Sequence, residues 1–168
     1  MRRILCLLTA LCCILGLIGC SAQNAVPENS IAVYYRKATP VYGTDDGVIA
    51  SGRMDSANHI GDYVYLLEQY LRSSPGEEFA DTFPDGTSLI NFQLEALTAK
   101  VVLNSRITQL SGMDLTIALT CLTRTVMDLT GCHEVILSAQ GALLNGENFI
   151  TLNQDSFLLI DHSGTAQN

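Results

Sequence analysis

The chain has 168 residues, 48% of them apolar, with 17 acidic residues against nine basic ones and a formal net charge of −8. This length fits one domain with a short extension, and it suffices to bury a substantial core. The acidic balance argues against a nucleic-acid partner, because a negative surface repels phosphate backbones.

The N-terminus reads as an export signal. Met1-Arg2-Arg3 precedes an uncharged apolar run from Ile4 to Ile18, and the chain turns polar straight after Cys20. Leu17-Ile18-Gly19-Cys20 resembles the lipobox of bacterial lipoproteins, which implies cleavage between Gly19 and Cys20 and a diacylglyceryl group on the Cys20 thiol. The expected location is the outer face of the cytoplasmic membrane, held there by acyl chains. Two alternatives stand beside this reading. A spanning helix wants about 20 apolar residues, and the stretch from Ile4 to Gly19 is shorter. An ordinary cleaved secretion signal would make Cys20 incidental.

The expected division is a signal peptide at 1–19, a lipidated Cys and polar tether at 20–30, one domain at 31–161 and a tail at 162–168. Removing the signal leaves 149 of the 168 residues, with seven basic residues against all 17 acidic ones, a net −10. Only Cys121 and Cys132 then remain for the fold. The pattern places Cys121 within a helix and Cys132 just past its end, roughly 16 Å apart at 1.5 Å per residue. That exceeds the ~7 Å limit on Cα separation for a disulfide, so both are expected as free thiols.

Ile31, Val33 and Tyr35 alternate and predict a first strand. Residues 37–56 read as a long loop with a short strand at Val48–Ala50. Ala57 to Ser73 reads as a helix capped by Asp55 or Ser56, with Ile60, Val64, Leu67 and Leu71 as its apolar stripe and Pro75-Gly76 as its stop. Residues 74–87 form an acidic loop ending in the turn Phe83-Pro84-Asp85-Gly86-Thr87. Ile90, Phe92 and Leu94 then alternate with Asn91, Gln93 and Glu95, a strand with one wet face. Ala99, Val101 and Leu103 form its hairpin partner after a turn near Leu97-Thr98.

A second helix spans Gly112 to Leu129. Ser111 and Asp114 suggest a capping box, and Gly131 suits a left-handed C-terminal cap. Leu115, Leu119, Leu122, Val126 and Leu129 make its buried stripe. His133 to Ser138 is a strand whose Val135-Ile136-Leu137 run suggests a central position covered on both faces. Asn145-Gly146 marks a turn, and Ser156 to Asp161 supplies a last strand. The fold class is α/β (α+β): two helices on one face of a small mixed β-sheet, in β-α-β-β-α-β order with one or two added strands.

This order resembles the GerMN domain. The resemblance is carried by Val33-Tyr34-Tyr35, by Phe83-Pro84-Asp85-Gly86-Thr87, by Val101-Val102-Leu103-Asn104, and by the run from Leu119 to Gly131 followed by Val135-Ile136-Leu137. It covers about residues 31–141. It implies a small α/β domain similar to ring-building motifs, often lipid-anchored in Gram-positive, spore-forming bacteria, working by assembly rather than catalysis. The chain carries one copy where the family's namesake carries two. The resemblance assigns no binding residues.

The residues themselves offer no catalytic set, metal site or cofactor motif. His59, His133 and His162 have no ligand spacing, and neither fold cysteine has a CxxC partner. No G-x-S-x-G, S-x-x-K or phosphate-cradling loop is present. Asp45-Asp46 and Glu77-Glu78 read as turn and solvated charge. Tyr35 reads as core, Tyr63 and Tyr70 as flanks of the first helix stripe, and Tyr65 as pointing elsewhere. The expected role is a protein-interaction lipoprotein of the envelope, with a sporulation or germination setting and an envelope protein as partner. Asn91, Gln93 and Glu95 are its candidate contact surface. The alternative is a ligand-binding module for wall glycan or a small molecule. An envelope hydrolase is disfavoured by the missing nucleophile and base.

Overall fold

The computed structural model describes residues 29–41, 47–73 and 76–156. The lipobox, the tether up to residue 28, the Asp45-Asp46 pair, Pro75, and the expected strand and tail beyond Ser156 (His162 included) lie outside the described residues.

The described chain runs β1 (Ser30–Arg36), β2 (Ile49–Asp55), α1 (Tyr63–Arg72), β3 (Leu89–Glu95), β4 (Thr98–Leu103), α2 (Gly112–Thr130), β5 (Glu134–Ala139) and β6 (Ile150–Asn153). β1 and β2 form an antiparallel ribbon. The other strands form a mixed sheet in the order β3-β4-β5-β6, parallel only between β4 and β5. The α+β class is as expected, and β2 and β6 are the two added strands.

The first strand does not enter the main sheet. Its edge away from β2 is closed by side chains instead. The Tyr34 N–H donates to Thr125 Oγ1 at 3.0 Å, the Tyr34 carbonyl accepts from the Tyr70 phenol, and the Arg36 N–H donates to Thr82 Oγ1 at 3.0 Å. These bonds satisfy main-chain groups that a neighbouring strand would otherwise pair. Val33 and Tyr35 enter the main core, while Tyr34 packs on a smaller cluster of Val48, Ile49, Ile117 and Cys121.

β2 is longer than the expected Val48–Ala50 strand. Gly52, in its middle, reads as a breaker in sequence. In the fold it faces the Phe79 and Tyr35 rings, and an added Cβ would lie 3.4 Å from Phe79, so the small residue permits that packing.

The first helix begins six residues later than expected. Ala57 and Asn58 have positive φ values of 48° and 66°, and Gly61 has one of 90°, which is incompatible with helix. Asp55 stops β2 by accepting from the Ala57 N–H. The cap is Asp62, whose side chain accepts from the Tyr65 N–H at 3.1 Å. The buried face is Leu66, Leu67, Tyr70 and Leu71, so Ile60 and Val64 leave the expected stripe and face solvent. Tyr70 is a core residue, not a flank.

α2 matches its expected span within a residue, and Gly131 ends it at φ 70°. The capping box at its start does not form. Ser111 makes no side-chain cap bond, and Asp114 pairs with Arg36 at 2.6 Å instead. Both helices pack on one face of the main sheet, over Ala99, Val101, Leu103, Val135 and Leu137. Lys100, Val102, Ile136 and Ser138 lie on the opposite face and stay half-buried. β5 is therefore interior in strand order, but among the described residues helices cover only one of its faces. The predicted Asn145-Gly146 turn forms, with Leu144 and Glu147 exchanging both main-chain bonds across it. The strand after it is Ile150–Asn153, and Ser156 belongs to a 3₁₀ turn rather than to a strand. Cys121 and Cys132 are free thiols, both buried.

Candidate interaction surface

β3 is an edge strand. β4 pairs with one side of it, and among the described residues no strand pairs with the other. Glu95 pairs with Thr98 across the two-residue turn Ala96-Leu97. The pair that closes such a hairpin exchanges both main-chain bonds, and bonding alternates from there. Phe92 and Leu94 therefore turn their N–H and C=O groups outward, while Asn91, Gln93 and Glu95 bond inward to β4. The register shifts between Leu89 and Asn91, so Ile90 bulges and is exposed. The bulge limits the regular free edge to Asn91–Glu95.

The three residues singled out in sequence lie together. Asn91, Gln93 and Glu95 are exposed and stand opposite Val102, Lys100 and Thr98 on the uncovered face of the sheet. Glu95 Oε2 accepts from Lys100 Nζ at 2.8 Å, an exposed ion pair. The expected burial of the alternate set is only partly met. Phe92 is half-buried against Tyr63, but Ile90 and Leu94 are exposed.

A second feature is a half-open cleft of about 800 Å³ between β1, the end of α2 and the β6 end. Tyr34, Arg124, Asp128, His133, Glu134 and Asp155 line it. The Tyr34 phenol donates to Asp128 Oδ2 at 2.7 Å, and the Arg124 guanidinium lies 4.3 Å from the centre of the Tyr34 ring. Burial pushes the Tyr34 phenol above its ordinary pKa. The Asp128 hydrogen bond and charge push the same way, and Arg124 opposes them. Sequence reasoning did not find this cleft, because its walls come from three stretches far apart in sequence, at Tyr34, at 124–134 and at 153–155. The histidines stay apart: the His59 and Tyr65 rings stack with centroids 3.7 Å apart, while His133 lies just before β5 and donates its N–H to the Leu97 carbonyl. Among the described residues no group of three or more His, Cys, Asp or Glu could hold a metal ion.

The chain has the fold of a GerMN domain. It superposes on the first GerMN domain of the sporulation protein GerM from Bacillus subtilis with a TM-score of 0.57 at 16% identity, over 75% of this chain and 98% of that one. The tandem GerMN domains of the same protein match with a TM-score of 0.50 at 14% identity, over 72% of this chain and 43% of that one. The chain thus spans less than half of the tandem. No family model and no curated protein matches the sequence.

Proposed function

We propose that this chain is a lipid-anchored envelope protein whose GerMN-like domain acts as a non-catalytic interaction module, with β3 and its open face as the contact surface. The observation that carries the reading is the edge of β3 that no strand among the described residues pairs, beside exposed Asn91, Gln93 and Glu95. Sheet edges of this kind accept strands from other chains unless they are protected. A setting in sporulation or germination draws support from the fold shared with the GerM domains. The anchor draws support from Leu17-Ile18-Gly19-Cys20. Among the described residues no helix is long and apolar enough to cross a membrane.

Replacing Gln93 and Glu95 together with Lys tests the surface. The thermal midpoint should stay nearly unchanged, as it usually does for surface changes, while crosslinking to an envelope protein in native membranes is lost. Intact crosslinks, or substrate turnover by the purified protein, would overturn the reading. A ligand-binding role draws on the cleft beside Tyr34. It ranks second because the Tyr34 hydroxyl, Asp128 and Arg124 already engage one another.

A further inference from the structure

The end of the domain where the tether enters carries several exposed apolar side chains. Asn29, the first described residue, is bonded to the turn that precedes α1. Its carbonyl accepts from the Ser56 N–H at 2.8 Å and the Ser56 hydroxyl at 2.7 Å, and its side-chain amide donates to Asn58 Oδ1 at 3.1 Å. Two residues past Asn58 sits Ile60, which is 70% exposed. The turn holds it outward through successive bonds, His59 N–H to the Ser56 carbonyl and Asp62 N–H to the His59 carbonyl. Ile60 shares a shallow groove with Ile31, Tyr63 and Leu129, the last near the C-terminus of α2.

The β3–β4 turn lies at the same end. The Leu97 carbonyl accepts from the His133 and Glu134 N–H groups, which follow the end of α2 directly. Leu97 is 53% exposed, Val64 46% and Leu94 37%. The opposite end carries the N-terminus of α2, fixed by Arg36 to Asp114, and the 140–149 loop, whose Asn145 lines a groove with Gly112.

We propose that this end rests on the lipid surface through its exposed apolar side chains, with Ile60 entering the headgroup boundary, and that this contact orients the domain. The proposal rests on the lipid-anchor reading given above. From Cys20 to Asn29 the tether is nine steps long and can reach at most about 31 Å. So short a tether, entering beside Ile60, keeps that end close to the bilayer. Tyr63 and Tyr65 flank the turn, and tyrosine suits a boundary where one end of the ring is apolar and the other wet. Charge does not drive the contact. Asp55, Asp62, Glu95 and Asp128 outnumber Arg53 and Lys100 at this end, so anionic lipid repels it. The acyl chains supply the attachment, and the side chains set the angle. In that pose the strands stand away from the membrane and the β3 edge faces sideways, open to a neighbour.

The chain contains no Trp, so Ile60→Trp introduces a single reporter, and Phe149→Trp places one at the far end. Full-length chain, produced in a host that processes lipoproteins, is reconstituted in phosphatidylcholine vesicles carrying brominated acyl chains. Trp at 60 should show a blue shift and loss of emission, Trp at 149 neither, and added anionic lipid should weaken the quenching at 60. If the protein co-sediments with vesicles but position 60 is unquenched, the proposal is overturned while the anchor reading survives. If wild type fails to co-sediment, as Cys20→Ala is expected to, the anchor reading fails and the proposal falls with it. A blue shift at 60 without lipid that grows with protein concentration would mean that a second copy covers this end, which also overturns it.

Discussion

The phenol of Tyr70, on α1, donates a hydrogen bond to the main-chain carbonyl of Tyr34, on β1, 36 residues earlier in sequence. Tyr70 is fully buried, and its ring also packs against Tyr35 and Phe83. With Thr125 Oγ1 accepting from the N–H of the same Tyr34, side chains from both helices close the free edge of β1. This arrangement lets the ribbon sit beside the helices without joining the main sheet. Tyr70→Phe keeps the packing and leaves the Tyr34 carbonyl short of a partner. It should cost about 1–3 kcal/mol, read as a fall in the urea midpoint with the slope unchanged. A variant as stable as wild type would show that the bond contributes little.

The ribbon also marks where sequence pattern stopped informing. The alternations of Val33 and Tyr35, of Val101 and Leu103, and the stripe of Leu115, Leu119 and Leu122 were legible, because periodic burial reports the core face directly. Asn91, Gln93 and Glu95 were legible as a wet face for the same reason. The β3–β4 hairpin was legible too, but the placement of β1 outside the main sheet was not, since nothing in its local spacing states that Thr125 and Tyr70 will occupy its edge. Ile60 and Val64 fitted a helical stripe by spacing, but positive φ at Ala57, Asn58 and Gly61 keeps Ile60 out of the helix, and Val64, in its first turn, faces solvent. Ser111 and Asp114 fitted a cap, but Arg36 drew Asp114 away. The cleft beside Tyr34 stayed hidden because only the folded chain brings its segments together.

The two left-handed positions at Ala96 and Gly131 should respond to substitution in opposite directions. Ala96 has a φ of 52° at the first turn residue of the β3–β4 hairpin. Ala96→Gly should stabilise the protein by up to about 1 kcal/mol, because glycine adopts this backbone without steric cost. Gly131 has a φ of 70°, and an added Cβ there would touch nothing within 4 Å. Gly131→Ala should still cost about 1 kcal/mol, entirely from the backbone. Thermal denaturation of both variants checks the pair. A stabilised Gly131→Ala would refute the αL cap.

The displaced stripe of α1 predicts an asymmetry between residues that sequence spacing treats alike. Leu67 is fully buried and Ile60 mostly exposed. Leu67→Ala should cost about 2–5 kcal/mol through lost burial and the cavity left behind. Ile60→Ala should change stability by less than about 0.5 kcal/mol in the absence of membrane. Denaturant melts of the two variants separate the readings. Equal losses would restore Ile60 to the core and extend the helix back to it.

Buried acids should make the fold sensitive to alkali. Burial pushes the Cys121 thiol well above its ordinary pKa, with Arg124 opposing. Tyr70 is also raised well above the ordinary phenol value, by burial first and then by the charge of Cys121, with a Thr125 hydrogen bond opposing. Both groups are neutral when protonated, and the folded state holds the proton to higher pH than the unfolded chain does. Between the two pKa values of each group the unfolded chain binds fewer protons, so stability falls as pH rises. Below about pH 8.5 neither group contributes a slope. Above that, Cys121 should remove about 1.4 kcal/mol per pH unit, and Tyr70 should add a similar slope above about pH 10. Cys121→Ala costs some packing at every pH but abolishes the first slope. Urea melts at pH 7, 8.5 and 9.5, with reductant present, measure the difference. If wild type and Cys121→Ala lose stability in parallel between pH 8.5 and 9.5, the thiol at 121 ionises as readily in the folded chain as in the unfolded one, and its place in the core against Ile117 is wrong.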